Sequence, residues 1–214
     1  SKFDKIDYDF ALFHWNYMPS SGGSLIHPHM QVYVTNTPLN YHTRVLEKAM
    51  QFKQNNNAEF FDAYINVEVQ EKTRFISKRG RCYLISPFAS RGMLGEFLII
   101  VKDSYNYRDL TNDDFSHLSS FIYDLSLFFK SRNVPGFNLA FFSSPVSENV
   151  MLNHIRIYPR VYRDLDVFAT DIETPTLLYG ESFSLISPEK NASLMRDFLV
   201  SKNKVEGLLD AEKA

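Results

Sequence analysis

The stretch from Thr111 to Asn133, TNDDFSHLSSFIYDLSLFFKSRN, narrows the folds open to this chain more than any other. Thr111 with Asp114 three residues on resembles a capping box, in which side chain and backbone satisfy each other's unpaired groups. Phe115, Leu118, Ile122, Leu125 and Phe129 follow at three- and four-residue steps, which predicts the buried stripe of one long helix. Such a stripe needs an apolar layer to lie on. The flanking segments supply one. RCYLISPFAS (81–90) and GEFLIIVKD (95–103) read as an antiparallel strand pair, and FNLAFFSSP and NHIRIYPRVY as two further strands.

Upstream, ALFHWNYM (11–18) and LIHPHMQVYVTN (25–36) are aromatic and β-branched runs divided by PSSGG, so two more strands with a tight loop are predicted. NYHTRVLEKAMQFKQNN and AEFFDAYINVEVQEK predict helices broken at Asn55-Asn56-Asn57. Ser187-Pro188-Glu189 opens a last helix reaching roughly Val200, with a loose charged tail, 202–214, behind it. The order predicts an α+β fold, an antiparallel sheet with helices packed on one side.

At 214 residues and 44% hydrophobic content the chain can bury a real core. A formal charge of −2 lacks the basic footprint that binding to nucleic acid requires, so no nucleic-acid partner is expected. Cys82, the single cysteine, permits no intrachain disulfide and reads as a small buried residue in a reducing compartment. No apolar run reaches membrane length and SKFDKIDYDF lacks a signal-peptide core, so the expectation is a cytoplasmic protein without a membrane partner.

The chemistry concentrates in GGSLIHPHMQ (22–31). On a strand, His27, His29 and Gln31 share one face. An imidazole can attack phosphorus when one nitrogen is free and the other donates its proton to a fixed acceptor. Gln31 can donate an amide hydrogen bond to a phosphate oxygen. Gly22, Gly23 and Ser24 offer backbone N–H groups and a hydroxyl. The residues alone leave two readings open, a catalytic device and a solvated polar edge.

The segment NYMPSSGGSLIHPHMQ resembles the active-site segment of the galactose-1-phosphate uridylyltransferase family of the histidine-triad superfamily. Asn16, Gly22, Ser24, His27, Pro28, His29 and Gln31 match its pattern, with Met30 where the best-known members have glycine. The resemblance implies a nucleotidyltransferase. His29 would attack the α-phosphorus of a nucleoside diphosphate sugar to form a nucleotidyl-histidine, while Gln31, Ser24 and Asn16 hold phosphate oxygens. A sugar phosphate would then take the nucleotide. Hydrolytic members carry a third histidine where Gln31 stands, so glutamine favours transfer. The alternatives are a phosphorylase of dinucleoside polyphosphates or ADP-sugars, using the same His29 and Gln31, and a non-catalytic descendant kept for nucleotide binding or assembly.

By the same resemblance, residues 1–50 correspond to the end of a first histidine-triad half and 51–201 to the second, most of the first half being absent. A homodimer is implied. Of the family's zinc and iron ligands, His27 stands at one zinc position without its upstream partners. Phe142 and Arg156 replace two histidines of the second metal site, leaving His154 and Glu47. These sites are expected to be incomplete and no cofactor is expected. Glu181 is the nearest counterpart of the family's sugar-contacting glutamate. Lys78, Arg79 and Arg81 read as a solvated hairpin turn, and Trp15 as a core or dimer contact.

Overall fold

The computed structural model describes residues 8–23, 26–162 and 181–211, with side chains up to 203. Seven strands form one sheet: β1 (Phe10–Tyr17), β2 (Gln31–Thr35), β3 (Phe75–Arg79), β4 (Cys82–Ile85), β5 (Phe97–Val101), β6 (Gly136–Phe142) and β7 (His154–Arg160). Their order is β2-β1-β6-β7-β5-β4-β3, and every neighbouring pair is antiparallel. Among the described residues four α-helices accompany them: α1 (Asn40–Asn56), α2 (Phe60–Glu71), α3 (Asn112–Ser131) and α4 (Pro188–Ala211). None of the helices among the described residues is long and apolar enough to cross a membrane.

Strand β5 shows why the sheet needs cover on both faces. All five of its residues, FLIIV, are buried, as in a strand enclosed between two layers. Phe97, Ile99 and Val101 point into a core with Leu118, Phe121, Leu125, Phe128 and Phe129 of α3 and Ala192 and Met195 of α4. Leu98 and Ile100 face the other way, into a core with Leu46 and Ala49 of α1 and Phe61 and Ile65 of α2. Each such large apolar side chain, fully buried, contributes about 1.5–3 kcal/mol. The α+β class and the antiparallel sheet stand as expected. Packing on one side describes α3 and α4, whereas α1 and α2 cover the opposite face at one end.

The capping box at Thr111 and Asp114 forms as expected. The expected stripe of α3 holds at Leu118, Leu125 and Phe129, with Ile122 packed against the core, and is wider than expected while losing its first member. Phe115 is half exposed, while Phe121 and Phe128 are buried, because the inward position of the first turn is taken by Asp114. That carboxylate receives Arg81 through two hydrogen bonds of 2.9 and 2.7 Å. Arg79 reaches Asp124 at 2.5 Å and Ser120 at 2.6 Å. The basic turn between β3 and β4 is therefore clamped onto α3 instead of being solvated. Strand β3 escaped the sequence reading because FISKR shows no apolar alternation. Helix α4 continues through Ala211 where a loose tail was expected, and Lys202 joins Asp124 at 2.6 Å on the helix it packs against.

The Arg81 guanidinium, with the Thr111 cap, holds the Asp114 carboxyl down to about 2. A carboxylate with a depressed folded-state pKa stabilises the fold above its unfolded value, and that contribution is lost as pH falls toward the folded one. Asp114→Asn should cost about 1–2 kcal/mol at pH 7, allowing for solvent screening. Urea unfolding should also show a flatter loss of stability between pH 4 and 2 in the variant.

Candidate active site

Strand β1 carries the front of the site and β2 the back. Their ladder runs from Phe10 opposite Thr35 to His14 opposite Gln31. Beyond Tyr17 the chain makes a short 3-10 turn, Pro19–Ser21, closed by Gly22 in the left-handed region at φ 90°. Ser21 is buried and its hydroxyl donates to the carbonyls of Tyr17 and Met18 at 2.8 and 2.7 Å. A Cβ on Gly23 would lie 3.0 Å from the Asn16 carbonyl oxygen, so this loop folds back tightly on β1. Ser24, a candidate phosphate ligand, lies outside the described residues.

His27 and His29 do not lie on β2, which begins at Gln31. Pro28 has no N–H to give to a ladder, and the segment before Gln31 is irregular and exposed. The two rings still lie side by side with centroids 6.4 Å apart. His29 Nδ1 sits 2.7 Å from the His27 carbonyl oxygen. A carbonyl only accepts, so Nδ1 carries the proton and Nε2 keeps its lone pair, on an exposed ring. Irregular backbone thus sets the tautomer that alternation on a strand was expected to exploit.

Gln31 is held by a residue the sequence reading passed over. His14 Nε2 donates to Gln31 Oε1 at 2.7 Å, and the His14 ring stacks on Tyr33 with centroids 4.9 Å apart. With the amide oxygen so engaged, the amide NH2 is the end left to meet a phosphate oxygen. Asn16 is likewise oriented, its Oδ1 accepting from Asn138 Nδ2 at 2.6 Å. Asn138 also donates to the Ser21 carbonyl at 2.9 Å and accepts from Arg160 at 2.5 Å. Neither His14 nor Asn138 belongs to a short motif, and only cross-strand register brings them in.

Register also defines the surface beside these groups. His14 opposes Ala140, and Ala140 opposes Arg156; Asn16 opposes Asn138, and Asn138 opposes Tyr158. Opposed residues share a sheet face. The face holding Gln31, His14 and Asn16 therefore continues across β6 and β7. A cavity of about 360 Å³ opens on it, floored by Asn138, Ala140 and Tyr158 and walled by Tyr41 and Arg91. Arg156 lies under its edge, paired with buried Glu96 and bonded to the Tyr41 hydroxyl. Trp15, on the opposite face, packs edge-on against Phe137 at 5.4 Å, in keeping with a core contact.

The metal sites implied by the resemblance do not fit the residues present. His154 is buried, donates from Nδ1 to the Leu152 carbonyl at 3.0 Å, and lies between the rings of Phe61 and Phe142 at 4.3 and 5.1 Å. Glu47 is exposed on α1. Among the described residues no group of three His, Cys, Asp or Glu side chains is placed to hold a metal ion. Cys82 is fully buried, and burial pushes its thiol up to about 12, which suits packing and not nucleophilic work.

No family model matches the chain. An uncharacterized protein of Archaeoglobus fulgidus is 23% identical over 186 residues, covering 85% of this chain and 54% of that protein. A solved uridylyltransferase mutant is similar with a TM-score of 0.78 at 16% identity, over 92% of this chain and 65% of that one. An ADP-glucose phosphorylase from Arabidopsis thaliana with bound ADP-glucose is similar with a TM-score of 0.73 at 17% identity, over 91% and 61%. The chain has the fold of these proteins. It spans about half the length of the curated relative and under two thirds of each of these solved chains.

Two measurements check this geometry. Long-range proton–nitrogen correlation spectra should show the His29 proton on Nδ1; an Nε2-protonated ring would overturn the assignment. Burial lowers His154 to about 3, so the unfolded chain takes up a proton below about pH 6.5 that the folded chain refuses, and stability falls as pH drops through that window. His154→Phe should flatten the fall in urea midpoint between pH 6.5 and 4.

Proposed function

We propose that this chain carries the nucleophilic side of a nucleotidyltransferase that works through a nucleotidyl-histidine on His29. The observation that carries the reading is the 2.7 Å hydrogen bond from His29 Nδ1 to the His27 carbonyl, which leaves Nε2 as an exposed lone pair two residues before Gln31 in the chain. The fold shared with uridylyltransferase and with ADP-glucose phosphorylase supports the same class of chemistry.

In this reading a nucleoside diphosphate sugar lays its α-phosphate against Gln31 and Asn16. His29 Nε2 forms a bond to the α-phosphorus as the bond from that phosphorus to the bridging oxygen breaks, and sugar 1-phosphate leaves with the electron pair. The leaving group is a phosphate, whose oxygen needs no proton at neutral pH. The Nδ1 proton stays on the ring, and the His27 carbonyl steadies the positive charge that forms there. A second phosphate then attacks from the opposite side, the phosphorus–nitrogen bond breaks, and the ring is restored. His14 acts through Gln31, fixing which end of the amide faces the phosphate.

Incubation of the full chain with UDP-glucose and ADP-glucose in parallel, followed by peptide mass analysis, should show a nucleoside monophosphate on His29 with one of them. His29→Asn should remove the adduct and lower exchange at least roughly a thousand-fold, as loss of a nucleophile does. Exchange that survives in His29→Asn would sink the reading. His14→Phe should lower the rate of adduct formation roughly tenfold, the loss of one oriented hydrogen bond, while His29 keeps its tautomer.

A further inference from the structure

The cavity beyond Asn138 has a composition that the transfer step alone does not require. Arg91 and Arg160 line it, together with the hydroxyl of Ser182 and the rings of Tyr41 and Tyr158, and no Asp or Glu is among its lining residues within the described part of the chain. Arg156, at its edge, is already neutralised by Glu96. Arg91 is not: its guanidinium lies 4.1 Å over the Tyr41 ring and its Nε donates to Ser182 Oγ at 3.3 Å, and no carboxylate of the described residues forms an ion pair with it. Glu181 is exposed and lines a neighbouring shallow hollow with Arg44 and Arg91. Arg91 therefore presents to the cavity a guanidinium with no described carboxylate paired to it.

We propose that this cavity receives the sugar of the nucleotide-sugar and selects one bearing an anionic substituent, a carboxylate or an additional phosphate. The proposal rests on the nucleotidyl-transfer reading for the identity of the substrate, and on the cavity for the charge. A neutral sugar presents hydroxyls that both donate and accept, and its site needs acceptors to match. A guanidinium with no carboxylate among the described lining residues matches a group that only accepts. The volume of about 360 Å³ suits a sugar ring, with Ala140 supplying the gap in the floor and Tyr158 a flat surface for the ring face. The position suits it too. Asn138 stands between Asn16 on the phosphate side and Arg160 on the cavity side, so a ligand spanning Asn138 places its phosphate near Gln31 and its sugar near Arg91. Guanidinium held against an aromatic ring is in place before the anion arrives, which lowers the ordering cost of binding.

Calorimetric titration of the full chain with glucose 1-phosphate, glucuronic acid 1-phosphate and glucose 1,6-bisphosphate tests the proposal. At least one of the two ligands carrying a second anionic group should bind ten or more times tighter than glucose 1-phosphate, and which one does so separates carboxylate from phosphate. Arg91→Gln should erase the preference and Arg91→Lys should retain part of it. Equal affinity for all three ligands, or a preference that survives in Arg91→Gln, would overturn the proposal. The preference is read in the unmodified protein, so it does not depend on the variants folding. A His29 adduct without a charge preference removes the cavity proposal alone. A charge preference without any adduct removes nucleotidyl transfer and leaves the cavity as an anion site.

Discussion

The ladder between β1 and β6 is the interaction on which the site depends. Strand β1 has β2 on one side and β6 on the other, and the two pairings place His14, Asn16 and Gln31 on one face. Without β6, β1 and β2 would be an isolated hairpin, which is marginal in water at best. Joined to β6 they extend a sheet whose middle strands are enclosed between helices. The rigidity of the buried centre is transmitted to an arm whose outer strand is largely exposed. Asn138 then ties the loop at Ser21 and the side chain of Asn16 to β6, so the ladder fixes side chains as well as backbone.

Much of this framework was legible in the chain. Strands alternate or run apolar where they are buried, and α3 announces its start through Thr111 and Asp114. What escaped did so for physical reasons. Strand β3 is an edge strand that presents Lys78 and Arg79. Arg79 and, just past the strand, Arg81 look like a turn until α3 supplies Asp124 and Asp114 as their partners. The tail of α4 reads as solvated charge, yet Lys202 has a carboxylate on the neighbouring helix. Charged side chains whose partners lie 33 to 78 residues away leave no local periodicity to read.

The same rule divides the site. His29, Gln31, Asn16 and the two glycines fall within sixteen residues of one another, and a short motif finds them. His14, Asn138, Tyr41, Arg91 and Arg160 are scattered from 14 to 160, and only sheet register and the return of α1 over the sheet assemble them. The reading of the histidines as strand residues was wrong in a useful way. A proline inside the run makes the backbone leave the ladder, and the carbonyl of His27 is thereby turned to meet the His29 ring instead of a neighbouring strand.

Burial separates the chemistry of the two histidine-bearing strand arms. On β1 and just before β2 the imidazoles of His14 and His29 are half-exposed and exposed, each bonded through one nitrogen. On β6–β7, His154 is packed between two phenyl rings and kept neutral by burial, and Arg156 beside it is spent on Glu96. One arm leaves an imidazole nitrogen of His29 exposed. The other gives up titration for packing, and the cation next to it shapes a cavity wall without adding net charge. Selectivity for charge in that cavity then falls to Arg91, which the fold holds against Tyr41 and leaves without a carboxylate partner among the described residues.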